Sequence, residues 1–554
     1  MKKCLALLLG LSLCLPAIST TTYAKSNDIR VNVEGESVEF DQPPVIFDGR
    51  TLVPIRAVCE KIGATIKWDV GTRTTTVSKG NKTLSLQIDS QQMQVSGGSP
   101  VQLDVPPQIY NGRTLLPIRA VVENLGYEVT WDAAKQILSI EQEGVIIVDE
   151  LENTQAYGVD NWAQISSVHQ FPYKGEGLAY AYADNNQLKI TTPGTTLTLQ
   201  VKYPILGDVI SDDDGNFYVI WGKANETEDA TIETVFISKY SPEGQELKTT
   251  GFVGKSTPWR DADSAKTKVP FAHGNSVSVI ADGILVNYHS KRRYDGHQSD
   301  NVIAVKISDM SPYSLPNDTY SGHSFNQSLI YSKKLSGFLF ASHGDAYARG
   351  FRVNNSSGKY GDDSEILFHF YLEANANYDM YIVNKTFAQL GGLAETSKGV
   401  ALVGASAKSI SEQAKSEKQN LFVQIFDPQA GQVSESMFTG GEVRSGALST
   451  DINDSNNSPL EKVTDYGVHW LTHYNDTDVI APQVVSADER IVILWSTDED
   501  TFYMVLSEEG TVITPATSLG GLPLNSFERP VYYDGAVYWA AAKNGRLKIM
   551  SVRP

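Results

Sequence analysis

Cysteine is nearly absent from this 554-residue chain: there are three, and two of them, Cys4 and Cys14, fall in the first 14 residues. Cys59 then stands alone, so no intramolecular disulfide staples the rest, and stability has to come from ordinary apolar cores. Lysine and arginine are also scarce, 46 against 65 acidic residues, for a net charge of −19. That balance excludes a chain built around a basic nucleic-acid face and disfavours direct attachment to an anionic membrane. The one dense basic run, Lys291-Arg292-Arg293, reads as an exposed loop rather than a phosphate site. After the first residues no stretch reaches 18 consecutive apolar positions, so no transmembrane helix is expected. No P-loop, dinucleotide fingerprint or standard zinc motif is present, and no cofactor is expected.

The first 24 residues read as a secretory signal: Lys2-Lys3, a short apolar run, and small residues around Ala24. A lipid anchor at Cys14 fits poorly, because Leu13 stands where a small residue is needed. The expectation is a secreted or cell-surface protein cleaved near Ala24.

One phrase occurs twice. "DGRTLVPIRAVCEKIG" at 48–63 returns as "NGRTLLPIRAVVENLG" at 111–126, and Trp68-Asp69 returns as Trp131-Asp132, all at an offset of 63. A gap-free match of this length is an internal duplication. Each copy predicts a tight hairpin turn at Asp48-Gly49 or Asn111-Gly112. A helix with Pro54 or Pro117 in its first turn follows, capped by Gly63 or Gly126. Ile55, Val58, Cys59 and Ile62 form its apolar face, as do Ile118, Val121, Val122 and Leu125. Cys59 takes the place of Val122 and reads as a buried thiol acting as a small hydrophobe.

These residues resemble the copper amine oxidase N-terminal, or stalk, domain found on exported proteins of Gram-positive bacteria. The likeness covers 28–142 and implies a small α+β module that carries no copper of its own. All nine histidines lie beyond residue 160, so this part has no imidazole ligand. Amine oxidase activity is not expected further along either. Asn377-Tyr378-Asp379 looks like the quinone-forming core of that enzyme, but Ala374 replaces the family's threonine and no two histidines stand two apart.

Residues beyond 155 alternate β-branched and aromatic runs with Gly, Asp and Asn turns, in seven paired runs beginning near 177, 214, 282, 336, 398, 489 and 534. Runs such as "RIVILW" are almost wholly apolar, the pattern of strands covered on both faces. The expected fold is therefore multidomain, a duplicated α+β stalk followed by an all-β propeller of six to eight blades, with seven favoured. A large sandwich or two β domains is the alternative. The expected boundaries are a signal at 1–24, the stalk at 25–142, a linker at 143–160 and the propeller at 161–554.

Other motifs fail on a residue. His469 and His473 have zinc-helix spacing but Trp470 stands where a metalloprotease has glutamate. "GHSFN" at 322–326 lacks the final glycine of a nucleophile elbow, and "SDDDGN" at 211–216 reads as a turn rather than a calcium loop. One constellation remains. Five of the nine histidines fall between 273 and 343, around the third and fourth blades. His273, His289, His323 and His343, with Asp345 and Arg349, form the candidate ligand-binding set, with Tyr294 and Tyr347 nearby. Imidazole, carboxylate and guanidinium suit a polyhydroxyl or anionic glycan. The expected function is a non-enzymatic surface protein whose stalk presents a propeller that binds a ligand, either cell-wall glycan or a surface protein. The alternative is a propeller enzyme, a hydrolase or lyase acting on polysaccharide. The same histidines, read structurally, cap turns and join blades.

Overall fold

The computed structural model describes residues 24–25, 29–33, 36–79, 82–133, 135–142, 145–152, 168–184, 186–227, 229, 231–254, 267–272, 276–294, 296, 298–316, 324–344, 350–356, 365–370, 372–373, 383–384, 388–410, 412–428, 442–447, 462–521, 524, 528–543 and 546–554. The chain divides into two compact units, 1–143 and 144–554.

The first unit is the duplicated module. In each copy a hairpin turns at the expected pair: Asp48 and Gly49 have φ of 47° and 73°, Asn111 and Gly112 of 48° and 73°. These are the angles for which Asn-Gly and Asp-Gly are chosen. The two hairpins, Val45–Phe47 with Arg50–Pro54 and Gln108–Tyr110 with Arg113–Pro117, join in one sheet through their second strands. Val53 pairs with Leu116, its own counterpart 63 residues on, while Pro54 pairs with Leu115 and Leu52 with Pro117. A pair made of one position and its own repeat lies on a local twofold axis.

The helices Ile55–Lys61 and Ile118–Asn124 follow directly. Each proline stands one residue earlier than the sequence pattern places it, as the N-cap. Gly63, at φ 68°, ends the first helix, and the bond from the Ala64 amide to the Cys59 carbonyl closes a Schellman-type turn. The apolar faces of both helices meet in one core shared by the two copies. Cys59 is fully buried there, and burial pushes its thiol up to about 12. Two further sheets flank this core. One is Thr65–Asp69, Thr74–Lys79, Lys82–Gln87, Gln92–Val95 and Val101–Gln102; the other is Tyr127–Asp132, Ile137–Gln142, Arg30–Val33 and Glu36–Ser37.

The second unit is a seven-bladed propeller. The inner strands are, in order, Val168–Tyr173, Ile205–Ser211, Ser276–Ala281, Ser324–Ser332, Gln389–Glu395, Ile480–Ala487 and Val531–Tyr533. Each touches the next, and the last touches the first, so the ring is closed. The cores say the same. Seven apolar clusters each span two neighbouring blades, including one that joins Val168 and Tyr180 of blade 1 to Ala540 and Ile549 of blade 7. This follows from the period of two in a strand. In Arg490–Ser496, Ile491, Ile493 and Trp495 enter the core toward blade 5, while Val492 and Leu494 enter the core toward blade 7. A strand buried on both faces is apolar at most positions, which is why such strands stand out as apolar runs in the sequence; Ile284–Arg293 is the exception, with Asn287, His289 and Lys291 buried in it.

Blade 7 closes the ring with a borrowed strand. Val145–Glu152 pairs antiparallel with Arg546–Val552, outside Ala536–Lys543 and Val531–Tyr533. The segment expected as a linker from 143 therefore contains a blade strand, and the propeller begins before residue 161. The expected basic loop is also corrected: Lys291-Arg292-Arg293 ends the strand Ile284–Arg293, and Lys291 and Arg293 are buried.

Candidate functional site

The inner strands carry a group of polar side chains that gather at one place. A cavity of about 100 Å³ opens among the inner strands of blades 1, 2 and 3 and the segment leading into blade 7. His169, Gln170, Asp208, Ser276, Ser278, Glu528 and Arg529 supply its polar lining.

His169 shares a strand face with Phe171 and Tyr173, which pack in the core between blades 1 and 2. Its ring thus leans toward blade 2, where Nδ1 lies 3.1 Å from Asp208 Oδ1. Asp208 follows a bulge: register slips between Leu206 and Asp208, with Gly207 the extra residue. Bulges re-aim side chains at inner rims. Asp208 Oδ1 also accepts the Val209 amide at 2.8 Å, which fixes the carboxylate. A carboxylate only accepts, so Nδ1 carries the proton. His169 Nε2 is then left buried without a partner, and both polar atoms of Gln170 are in the same condition. Orphaned polar atoms of this kind call for a ligand or water.

Arg529 crosses the ring. Its guanidinium donates to the Gln327 carbonyl and, at 3.2 Å, to Ser328 Oγ on the inner strand of blade 4. Burial lowers its pKa to about 10, and the Asp208 charge opposes that shift.

Behind the cavity, blade 3 holds a buried polar chain. Asn287 Nδ2 donates to Ser276 Oγ at 2.8 Å and to Ser278 Oγ at 3.0 Å. That orientation turns its carbonyl oxygen to His289 Nδ1, 2.8 Å away, and His289 Nε2 faces Asn301 Nδ2 at 3.3 Å. Burial drops His289 to about 3, with Lys291 adding to the shift, so the ring is neutral with its proton on Nδ1. Of the histidines singled out from the sequence, His289 therefore braces two cavity serines from behind rather than facing the cavity.

His343 is half-buried elsewhere, against Phe325, Phe351 and Phe370 at ring distances of 5.9, 5.7 and 4.8 Å. Burial lowers it to about 4. His289 and His343 thus sit among different neighbours on adjacent blades. His273, His323, Asp345, Arg349, Tyr347 and the Asn377-Tyr378-Asp379 run lie outside the described residues. Tyr294 donates to the Asn225 carbonyl. His469 ends a strand, Lys462–Trp470, so its spacing to His473 is not helical. Asp212 closes the turn of the "SDDDGN" run by accepting the Asn216 amide at 2.8 Å. Among the described residues no three His, Cys, Asp or Glu groups are placed to hold a metal ion.

The residues the sequence reading missed are His169, Gln170, Asp208, Glu528 and Arg529. For His169, Gln170 and Asp208 the one local signal is a polar interruption of an apolar run, as in "VHQFPY" and "ILGDVI"; Glu528 and Arg529, in "NSFERP", carry none.

A class can now be stated: a two-unit chain, a duplicated α+β module and a seven-bladed propeller with a polar inner ring. Residues 32–140 match the family model of the copper amine oxidase N-terminal domain. No curated protein matches the chain. Among solved structures, a GH93 α-L-arabinofuranosidase of Fusarium graminearum aligns at 12% identity over 62% of this chain and 91% of its own, with a TM-score of 0.35. The β-propeller domain of the Trilobed protease from Pyrococcus furiosus aligns at 11% identity over 69% and 94%, with a TM-score of 0.34. The Dos1 propeller aligns at 8% identity over 89% and 93%, with a TM-score of 0.37.

Proposed function

We propose that the protein is an exported surface protein in which the stalk module presents the propeller, and that the inner-ring cavity binds the polar end of a glycan. The observation that carries this reading is the set of unpartnered atoms at the cavity, His169 Nε2 and the Gln170 amide. An acceptor-or-donor imidazole, an amide, two serines and a guanidinium beside two carboxylates suit hydroxyl groups, which both donate and accept. The cavity takes one such polar group, so the remainder of a ligand lies outside it.

Calorimetric titration of the full chain with a panel of neutral and uronic oligosaccharides tests this. Binding is expected to fall at least about tenfold in both His169→Ala and Gln170→Leu with the unfolding midpoint held. Binding that is unchanged in both variants sinks the reading. Export has its own check, a mature protein that begins at Lys25 in the culture fluid or cell envelope.

A second reading rests on the His169–Asp208 pair. A carboxylate that orients an imidazole, with the far nitrogen unoccupied, is an acid–base arrangement. On that reading the propeller cleaves polysaccharide as a hydrolase or lyase. New reducing or unsaturated ends, formed by the wild type and absent with Asp208→Asn, favour it. Binding without any product over long incubation excludes it.

A further inference from the structure

The first unit carries two grooves, of about 610 and about 550 Å³. They are the same groove made twice. Every residue that lines the first has its counterpart, 63 positions away, lining the second. Each is composite: the helix and the Trp-Asp strand come from one copy, the hairpin from the other. Trp68 and Arg56 thus stand opposite Arg113 in the first, and Trp131 and Arg119 opposite Arg50 in the second. Arg113 pairs with Asp41 at 2.7 Å and Arg50 with Asp104 at 2.7 Å, a matched pair of exposed bridges at the two grooves.

The duplication kept these residues where packing does not demand them. Core positions have drifted between copies, Val53 to Leu116, Cys59 to Val122, Ile62 to Leu125. Of the outward-facing groove residues, Arg56 and Arg119, Glu60 and Glu123, Trp68 and Trp131, and Asp41 and Asp104 are identical, while Glu39 is replaced by Gln102. The two tryptophans are 38% and 39% exposed, among the few large apolar side chains left open to solvent. An exposed indole repeated at the same place is not explained by the core.

We propose that the stalk is a bivalent binder of neutral glycan, with one site in each groove. Each groove offers one flat indole and no second aromatic ring, so it fits a sugar face better than a polyproline segment, which takes an aromatic-lined groove. Guanidinium groups and carboxylates alternate along the walls with nearly balanced charge, which suits hydroxyls and opposes a polyanion. The volumes are of the size that small-ligand sites occupy. Two equal sites on one rigid core add avidity on a repeating polymer. This inference does not depend on the propeller cavity.

The test is isothermal titration of the full chain with chitohexaose, cellohexaose and xylohexaose, with hexagalacturonate and a proline-rich decapeptide as contrasting probes. At least one neutral hexaose is expected to bind at two equivalent sites. Trp68→Ala and Trp131→Ala should each leave one stalk site of unchanged affinity, and the double variant should leave neither stalk site, so that any binding it retains is the His169-dependent binding of the propeller cavity. Arg56→Ala and Arg119→Ala, at exposed positions that folding does not need, should each weaken one site roughly tenfold. His169→Ala should leave both sites intact. No saturable binding of any neutral hexaose, a stoichiometry indifferent to the double variant, or tryptophan-dependent binding of only the decapeptide or hexagalacturonate would each overturn the proposal.

Discussion

Arg529, just ahead of the last inner strand, donates to the Gln327 carbonyl of blade 4, on the far side of the seven-membered ring. It is a strut between blades that share no core. Removing it takes one donor from that carbonyl and leaves the Asp208 charge without its cationic neighbour. Arg529→Ala should therefore cost about 2–4 kcal/mol, measured as a shift of the denaturation midpoint. Arg529→Lys should recover only part of the loss, because an ammonium cannot reach both Gln327 and Ser328 with a fork. Unchanged stability in both variants would remove the strut from the account.

Gly207 lets blade 3 close on blade 2. A Cβ there would sit 2.6 Å from Phe271 Cζ, and one at Gly222 would sit 2.7 Å from Phe271 Cε2. Phe271 is fully buried and itself adopts φ 61°, an uncommon angle for a bulky residue. The ring is fixed from both strands and has nowhere to move. Gly207→Ala is expected to destabilise by about 3 kcal/mol through overpacking. The double variant with Phe271→Ala should be no worse than Phe271→Ala alone. Simple additivity of the two losses would show that the clash is relieved in some other way.

How much of this was legible beforehand follows from burial. The hairpin turns, helix faces and Cys59 could be read because local periodicity encodes them, and the repeat supplied a second copy of each. The middle strands of the blades could be read because burial on both faces makes most of them apolar along nearly their whole length. The inner strands could not. They are interrupted by bulges at Gly207 and Gly391, and polar side chains such as His169 and Ser276 face the ring. The cavity also gathers residues 169, 208, 276 and 528 from four separate segments, so no spacing within the sequence announces it. The histidine grouping between 273 and 343 was a cluster along the chain, whereas His289 and His343 fold into separate surroundings.

Cys59 occupies the place that Val122 fills in the second copy. Cys59→Val should then change stability by less than about 1.5 kcal/mol in either direction. With its thiol pushed up to about 12, chiefly by burial and then by Glu60, Cys59 should resist aqueous thiol reagents in the folded chain. Labelling at the rate of global unfolding is the expected result. Fast labelling under native conditions would mean that the stalk core opens locally.

His289 and His343 tie the propeller to pH. Burial holds them at about 3 and about 4, below the value of about 6.5 for an unfolded histidine. Between those limits the unfolded chain takes up protons that the folded chain refuses, so folding is favoured less as pH falls. Their contribution is complete above about pH 6.5 and is lost progressively toward pH 4 and below. The other charged group facing His289 is Lys291, whose positive charge deepens the effect. His343 faces the Phe325, Phe351 and Phe370 rings, so a phenylalanine can occupy its site. Urea midpoints measured from pH 7.5 to pH 4.5 should therefore fall for the wild type. They should fall less steeply for His343→Phe, with the two proteins converging in slope above pH 7. Equal slopes across the whole range would show that His343 titrates normally in the folded state, reached by water past the three rings.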